Sequence, residues 1–490
     1  MKNSVVIIAL FFAPAVLFAQ QEVNFDDYFI DKTMRIDFFQ TGDADEEIIT
    51  IDQIYQQGAW AGNPKKLIDN LNQGLYYIKV YDIASNKLIY SRGFNCIFGE
   101  YKTTIPAKNG VKKTYHESAL IPYPKMPILF VIEARDRKNI LHPLFIERID
   151  PSDVNIIKQN HNKDDKVYES LKNGDPHDKV DFVFVAEGYT AEQWDKFKKD
   201  VKRFTGVLFT IEPYKSNKEK FNVSGVFRPS AESGVDQPTR GIFKNTVVSA
   251  SYNALNLPRY LLVDDNKALR DIASAVPYDA VIVMTNTDRY GGGGIYNNYC
   301  IFTSDDKRSE DIFMHEFGHA FANLADEYYG GAVAYDEFYP AGVEPLEANI
   351  TALLDPNNVK WKHLLSPGIE IPTKWGKQEY ETLQAERQKY RREMRAKIAE
   401  LTRQGASENK IKEIQEKYEE KVAEVDEKIK QVHSKYSHLD GKIGVFEGAG
   451  YKSKGLYRSE VRVGMFSGKV LGYGKVSEEA ILRIIDHLSN

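Results

Sequence analysis

The sequence predicts an α+β protein in which a small β-sandwich precedes a larger domain with a mostly parallel sheet and a helical-hairpin insertion. Three observations support this prediction. Short stretches within residues 24–149 alternate apolar and polar residues, as half-buried strands do. Residues 180–284 alternate apolar, strand-like runs with helical segments. Residues 378–433 repeat apolar residues at intervals of three and four between charged ones.

The composition is that of a globular protein outside the nucleic-acid-binding class. The 490 residues are 42% hydrophobic and 28% charged, and a chain of this length predicts two to four domains. A net charge of -5 leaves no basic surface for nucleic acid, so no such partner is expected. The two cysteines, Cys96 and Cys300, are too few for a disulfide framework, and we expect two free buried thiols.

Residues 1–19 are typical of a secretory signal peptide. Lys2 supplies the positive start, residues 5–18 form the apolar run, and Ala19 is a small residue before Gln20. The run is short for a membrane span, and an uncleaved anchor is the alternative interpretation. We therefore expect a secreted or periplasmic protein that begins near Gln20, without stable membrane insertion after the signal is removed.

Residues 24–149 predict an antiparallel β-sandwich. Segments 75–81 and 87–94 are strand-like and are separated by five residues that suit a hairpin loop. Another strand is predicted at Ile128–Arg135. Because this region has no cluster of histidine, cysteine or acidic residues, a role as spacer or folding partner is favoured over a binding role.

Residues 166–490 form the second predicted domain. Its first strand, 180–186, is almost continuously apolar, which is typical of a strand covered on both faces. Thr190 and Gln193 have the spacing of a capping box that opens a helix towards Phe209. Further strands at 221–227 and 280–284 are separated by a weak helical segment around 267–275.

Four glycines at positions 291–294 follow these strands. They are poor strand or helix formers, so a flexible loop or a close approach by a ligand is expected. A phosphate loop is disfavoured because its lysine and hydroxyl residue do not follow. The next segment, 295–303, is predicted as an edge strand that pairs with an extended substrate by strand addition.

The segment 378–433 predicts two antiparallel helices. Gly405 divides its helical pattern into halves of similar length. A structural insertion with solvated charged faces is favoured over an arm that gates a substrate or partner.

The sequence His-Glu-Phe-Gly-His at 315–319 carries the clearest chemistry. Residues four apart lie on one helical face, so His315 and His319 can hold a single Zn²⁺. Glu316 can then act as general base on a zinc-bound water. Ser309 is a plausible N-cap for this helix, and apolar residues within the helix argue against a chance match.

A third protein ligand is needed, because catalytic zinc usually keeps three ligands and one water. The metzincin pattern would place glycine and histidine where this chain has Ala322 and Ala325. In a continuous helix Asp326 would lie about 10 Å beyond His319 along the axis, so the helix must end or bend near Asn323. Asp326 is then the favoured ligand. Glu327 competes with it, and a more distant carboxylate stays open.

These segments resemble the IgA-peptidase family of bacterial secreted zinc metallopeptidases. The resemblance rests on 315–319 with the following Leu-Ala-Asp-Glu-Tyr at 324–328, on 183–190, and on 455–458 with Met465. It extends from about Val180 to the C-terminus, and an N-terminal β-sandwich is also similar to family members.

The resemblance implies a metzincin-like zinc peptidase domain divided by a cleft, with zinc at its floor. It further implies that Met465 forms the turn beneath the metal and that Tyr457 helps to stabilise the oxyanion. The chain departs from the family pattern at Ser459, where a proline is usual after the arginine, and at 463–464, where a cysteine is usual near the methionine.

We therefore expect a secreted zinc metalloendopeptidase that acts on protein or peptide substrates. His315, His319 and Asp326 are the predicted zinc ligands, and Glu316 is the predicted catalytic base. One alternative is a surface glycan- or protein-binding module with a non-catalytic metal site. Another is a metal-dependent hydrolase that acts on non-peptide bonds.

Overall fold

The fold is described by a computed structural model that covers residues 23–159, 162, 164–329, 333–467 and 472–490. Strands and helices both contribute extensively, and the predicted α+β class is confirmed at that level. The predicted signal peptide, residues 1–19, lies outside the described residues.

The N-terminal region contains two four-stranded sheets, ordered β5-β1-β2-β8 and β4-β3-β6-β7. Its strands are β1 (Phe29–Gly42), β2 (Glu47–Gln56), β3 (Tyr76–Asp82), β4 (Lys87–Phe94), β5 (Lys113–Pro124), β6 (Ile128–Arg135), β7 (Leu141–Ile149) and β8 (Ile157–Lys158). Its short helices are α1 (Phe25–Tyr28), α2 (Ile97–Tyr101) and α3 (Ile105–Lys108). Apolar side chains from both sheets form one buried cluster, as the alternating pattern requires. The hairpin predicted between segments 75–81 and 87–94 is the antiparallel pair β3 and β4.

The second region is built on a six-stranded sheet ordered β15-β16-β14-β10-β11-β9. Its strands and the adjoining β12–β13 pair are β9 (Lys166–Leu171), β10 (Val180–Glu187), β11 (Phe221–Phe227), β12 (Ala250–Tyr252), β13 (Leu261–Val263), β14 (Ala280–Thr285), β15 (Gly292–Ile295) and β16 (Tyr299–Thr303). The four inner strands are parallel and the two edge strands antiparallel, as the predicted mostly parallel sheet requires. Strand β10 is buried along its whole length, which explains its continuous apolar run.

Three helices cover this sheet. They are α4 (Trp194–Leu208), α5 (Asn266–Ala273) and α6 (Ser309–Ala322). Helices α4 and α6 pack on one face of the sheet, and α5 packs on the other. The capping box before α4 is present, with the Thr190 backbone N–H donating to Gln193 Oε1 at 2.9 Å.

The expectation for the glycine run and the segment after it is wrong in two respects. The glycines do not form a flexible loop, because Gly292–Ile295 is the edge strand β15. Segment 295–303 is not a single edge strand either. A turn with Asn297 in the left-handed region separates β15 from β16, which lies inside the sheet. Asparagine tolerates this conformation, so the chain can reverse there.

The C-terminal part combines a small sheet with helices. Its elements are β17 (Ile350–Thr351), α7 (Lys377–Arg403), α8 (Glu408–Lys435), β18 (Phe446–Ala449), β19 (Lys452–Arg458), α9 (Gly464–Ser467) and α10 (Lys475–Leu488). Helices α7 and α8 run antiparallel, linked by ion pairs between Arg387 and Asp426 and between Glu379 and Lys435, each 2.7 Å. Their role as an insertion into a peptidase domain stays a prediction.

Two further properties bear on the sequence predictions. Cys96 and Cys300 are both buried and free, as expected. Of the helices in the described part of the chain, none combines the length and apolar character needed to cross a membrane.

Candidate metal centre and active site

Helix α6 carries the His-Glu-Phe-Gly-His segment. The N-cap position is Arg308 and Ser309 is the first helical residue, so the predicted N-cap is wrong by one residue. The physical reason is the turn that precedes the helix. Asp306 accepts hydrogen bonds from the backbone N–H of Arg308 through Oδ1 at 2.8 Å and from that of Ser309 through its carbonyl at 2.9 Å. Asp306 thereby forms the turn that starts the helix at Ser309, and the N-cap residue Arg308 makes no side-chain capping bond.

The helix ends at Asn323, where the sequence required a break. Asn323 adopts the left-handed conformation, with φ 48° and ψ 39°. Its backbone N–H donates to the His319 carbonyl at 3.0 Å, and that of Leu324 donates to the Gly318 carbonyl at 3.2 Å. This hydrogen-bonded reversal is typical of helix C-termini and turns residues 324–327 back towards the helix.

The reversal brings Asp326 to the two histidines. Asp326 Oδ1 lies 2.9 Å from His315 Nε2 and 3.3 Å from His319 Nε2, and the two nitrogens are 3.3 Å apart. Ligand atoms held tetrahedrally at about 2.0–2.2 Å from one zinc ion would be about 3.3–3.6 Å apart. The triangle formed by His315, His319 and Asp326 is therefore close to the size that such an ion requires.

Hydrogen bonds hold the other polar atoms of His319 and Asp326, so that His319 Nε2 and Asp326 Oδ1 stay directed into the triangle. The Leu324 carbonyl can only accept, so its 2.5 Å contact with His319 Nδ1 places a proton on Nδ1 and makes Nε2 the nitrogen that can bind a metal. Tyr451 donates to Asp326 Oδ2 at 2.6 Å, whereas buried Oδ1 has no hydrogen-bond partner among the described residues. Two imidazole nitrogens and one carboxylate oxygen form a donor set that suits Zn²⁺.

The electrostatics of the triangle favour a bound cation. Burial alone would raise the pKa of Asp326, but the two neighbouring imidazoles hold it well below its usual range. Burial alone would lower the pKa of His319, but Asp326 and Glu316 outweigh it and raise that pKa to about 9. The protein itself therefore stabilises a carboxylate beside positive charge at this point.

Glu316 lies on the strand side of the helix. A Cβ atom added to Gly292 would lie 2.8 Å from Glu316 Cγ and 3.0 Å from its Oε1, so this side chain packs directly against β15. Burial raises the pKa of Glu316, although the two histidines oppose the shift. A half-buried carboxylate next to the histidine pair is placed to exchange a proton with a group held there.

Glu327, the competing ligand, points elsewhere. Its Oε1 accepts a 2.9 Å hydrogen bond from Asn349, and its backbone N–H donates to the Met465 carbonyl at 3.1 Å. Burial raises its pKa to about 8, opposed by the Asn349 hydrogen bond. Its carboxylate is not part of the triangle, so it serves the packing of the returning segment.

Met465 and Tyr457, the two residues that the family resemblance added, lie in different surroundings. Met465 is fully buried below α6, with its sulfur 3.0 Å from the position of a Cβ atom on Gly318. The absence of a side chain at Gly318 therefore allows this contact. Tyr457 packs against a cluster that includes Trp361, whereas the hydroxyl of Tyr451 donates a hydrogen bond to Asp326.

Sequence reasoning missed several residues around the triangle. Glu100, from the N-terminal region, accepts hydrogen bonds from Tyr260 at 2.5 Å and Tyr335 at 2.8 Å, and burial raises its pKa to about 7. Arg259 lies close enough to Tyr328 and Asp326 for both to favour its charged form. No motif could have identified these residues, because they come from distant segments that meet only in the fold.

A second group of potential metal ligands, Asp37, Asp52 and His116, lies between the two regions. Cations already neutralise its acids. Arg35 pairs with Asp37 at 2.8 Å, and Lys267 pairs with Asp52 at 3.2 Å. This group is therefore an ion-pair network rather than a metal site.

Comparison with known families agrees with this geometry. A family model described as IgA Peptidase M64 matches residues 169–485, which include both histidines, Glu316 and Asp326. A second model, described as Peptidase M64 N-terminus, matches residues 24–146. A search of curated proteins found no match. The first match spans well over half of the 490 residues and confirms the resemblance seen in the sequence. The chain belongs to the IgA peptidase M64 family.

Proposed function

We propose that this peptidase is a secreted, zinc-dependent endopeptidase. The observation that carries the proposal is the convergence of His315 Nε2, His319 Nε2 and Asp326 Oδ1, with Glu316 on the same helix. Family membership supports a protein or peptide substrate. The metal, the endopeptidase mode, the mechanism and the location are our proposals.

The proposed mechanism divides the work among five residues. His315, His319 and Asp326 would hold Zn²⁺, which when bound polarises the scissile carbonyl and acidifies water. Glu316 accepts a proton from the attacking water and then delivers it to the leaving amine. Tyr451 fixes the second oxygen of Asp326, so that Oδ1 keeps its orientation towards the histidines.

We propose that strand β15 lies along the substrate. It is the edge strand of the six-stranded sheet and packs against α6 through Gly292 and Gly294. Gly292 also forms an isolated bridge with Tyr260, so a peptide would add to the edge beyond that bridge. An extended peptide that added there would run past the proposed metal site. This assignment moves the substrate edge predicted at 295–303 to the glycine strand itself.

Metal analysis and a peptide-library assay test the proposed function. Purified protein should contain one zinc per chain and cleave internal peptide bonds, and a chelator should stop cleavage until zinc is restored. Zinc without cleavage of any peptide would favour a binding module with a non-catalytic metal. Hydrolysis of esters or non-peptide amides alone would favour a different hydrolase. Either result would contradict the proposal.

Export is proposed from residues 1–19. N-terminal sequencing of protein from the culture medium and periplasm should find a chain that begins near Gln20. Intact protein confined to the cytoplasm would contradict this part of the proposal.

A further inference from the structure

We infer that the N-terminal β-sandwich contributes to the active site by positioning the third proposed zinc ligand. Gln73, Asn95 and Glu100 are the positioning residues. Gln73 and Asn95 act on Asp326 through the segment that begins at Asn323. Glu100 acts on Asp326 through Tyr335 and Tyr451, which gives a second, separate route from the sandwich. The inference rests on the proposed zinc function and deepens it.

The first route holds the point where α6 ends. Asn95 Nδ2 donates to Asn323 Oδ1 at 3.1 Å, and Asn323 Nδ2 donates to Gln73 Oε1 at 2.8 Å. Asn95 is itself fixed, because its Oδ1 accepts from the Leu75 N–H at 2.7 Å and its own N–H donates to the Tyr296 carbonyl at 2.9 Å. Two sandwich side chains thus hold both polar atoms of the residue at which the chain reverses.

The importance of this contact follows from the backbone at Asn323. A left-handed conformation is unfavourable for most residues other than glycine, and asparagine adopts it with local hydrogen-bond support. Asn323 is 5% exposed, so its amide must find protein partners. The sandwich supplies both, and the reversal that returns Asp326 to the helix depends on their position.

The second route reaches Asp326 from the other side. Glu100 accepts hydrogen bonds from Tyr260 at 2.5 Å and Tyr335 at 2.8 Å. The ring of Tyr335 lies 5.7 Å from that of Tyr451, whose hydroxyl donates to Asp326 Oδ2 at 2.6 Å. Glu100 therefore acts on the proposed ligand through two tyrosines.

Backbone contacts tie the same loop to the sandwich. Thr104 and Tyr335 form an antiparallel bridge, and the Asp336 N–H donates to the Thr103 carbonyl at 2.9 Å. Lys108 pairs with Asp336 at 2.7 Å. The loop that carries Tyr335 is thus fixed by the N-terminal region as well as by its own domain.

Measurements of zinc affinity distinguish residues that position the ligand from residues that only help the two regions to pack. Residues that orient metal ligands from outside typically change metal affinity by about 10–100-fold when they are removed. Asn95→Ala and Glu100→Ala, made in the full-length chain, should each weaken zinc binding by about 10–100-fold in competition with a chromophoric chelator. Exposed residues of the same region give matched controls, Asn155→Ala and Glu147→Ala, and these should bind zinc as the wild type does.

Asn323→Gly tests the first route without introducing backbone strain. Glycine adopts φ 48° freely but offers no amide to Asn95 and Gln73. We expect a loss of zinc affinity at least as large as for Asn95→Ala, because the contact with Gln73 is lost as well. The double variant should bind zinc as Asn323→Gly does, because the contact that Asn95→Ala removes is already absent there.

The outcomes distinguish this inference from the proposed function. If the wild type neither binds zinc nor cleaves peptides, the proposed function fails. If the wild type does both, and the three single variants keep wild-type zinc affinity, the inference is overturned. A loss of zinc affinity that is equal in the matched controls would also overturn it. Should Glu100→Ala fail to fold, the zinc affinities of Asn95→Ala and Asn323→Gly decide the matter.

Discussion

Gly294 lies directly against the backbone of Glu316, so that a Cβ atom at Gly294 would overlap the Glu316 carbonyl oxygen and lie 2.8 Å from His319 Cβ. Gly292 makes a similar approach to the Glu316 side chain. These glycines let the edge strand β15 pack on the helix that carries the proposed metal ligands. Glycine is a poor strand former, but it is required in β15 because any side chain would separate this strand from the helix.

Gly294→Ala tests this packing. The added methyl group must displace strand or helix, and we expect the free energy of unfolding to fall by about 1–3 kcal/mol, as overpacking typically causes. Peptide cleavage should fall as well, because Glu316 and His319 lie at the contact. Gly206→Ala is the control, since this helical glycine has open space around its Cβ position and alanine should stabilise by about 0.5–1 kcal/mol. Urea denaturation measures both effects, and equal stability of the two variants would contradict the packing argument.

Asp326 and Glu327 are distinguished by their contacts. Asp326→Ala removes a proposed ligand, and zinc affinity should fall by more than the roughly 10–100-fold typical of outer-shell changes. Glu327→Gln keeps the size of a side chain that bonds to Asn349, and it should leave zinc affinity within about twofold of wild type. Chelator competition measures both constants. A larger loss for Glu327→Gln than for Asp326→Ala would reverse the ligand assignment.

Tyr451→Phe removes the hydrogen bond to Asp326 Oδ2 and keeps the ring. We expect zinc affinity to fall by about 10–100-fold, because the carboxylate loses the contact that orients it. Tyr457→Phe, on the nearby strand β19, is the matched control and should bind zinc normally. Isothermal titration with zinc provides the comparison, and identical affinities for the two variants would argue against a role for Tyr451.

Glu117 gives a pH prediction away from the metal site. It is 2% exposed at the contact between the two regions, and burial raises its pKa from 4.5 to about 7, opposed by hydrogen bonds from Asn298 and the Ile97 N–H. Because the folded-state pKa is the higher one, the associated stability is present below pH 4.5 and is lost as pH rises through about 7.

The shift of the Glu117 pKa corresponds to about 3 kcal/mol. The stability of the wild type relative to Glu117→Gln should therefore fall by up to this amount between pH 4.5 and 7 and stay constant above pH 8. Urea denaturation of both proteins across this pH range provides the measurement. A difference that does not change with pH would refute the prediction.

Much of the fold could be predicted from the sequence, because its signals are local. The apolar run of β10, the spacing of His315 and His319, and the need for a break near Asn323 all follow from periodicity and helix geometry. The predicted N-cap at Ser309 is off by one residue, because the turn that Asp306 forms with Arg308 and Ser309 has no signal in the spacing rule.

The rest depends on contacts between distant segments. Strand propensity alone predicts a loop for the glycine run, because it takes no account of the helix that packs on these glycines. The spacing of residues could not decide whether Asp326 or Glu327 is the third ligand, since both follow the same turn. Glu100 had no signal at all, since its partners Tyr260 and Tyr335 lie more than a hundred residues away.

The measurement that bears most directly on the central claim is the zinc content and peptide turnover of Glu316→Gln beside the wild type. The glutamine keeps the shape of the side chain but cannot accept the proton of the attacking water. General-base catalysis typically contributes about 10²–10⁴-fold, so turnover should fall by that factor while one zinc per chain is retained. Near-wild-type peptide hydrolysis by the zinc-loaded variant would contradict the account.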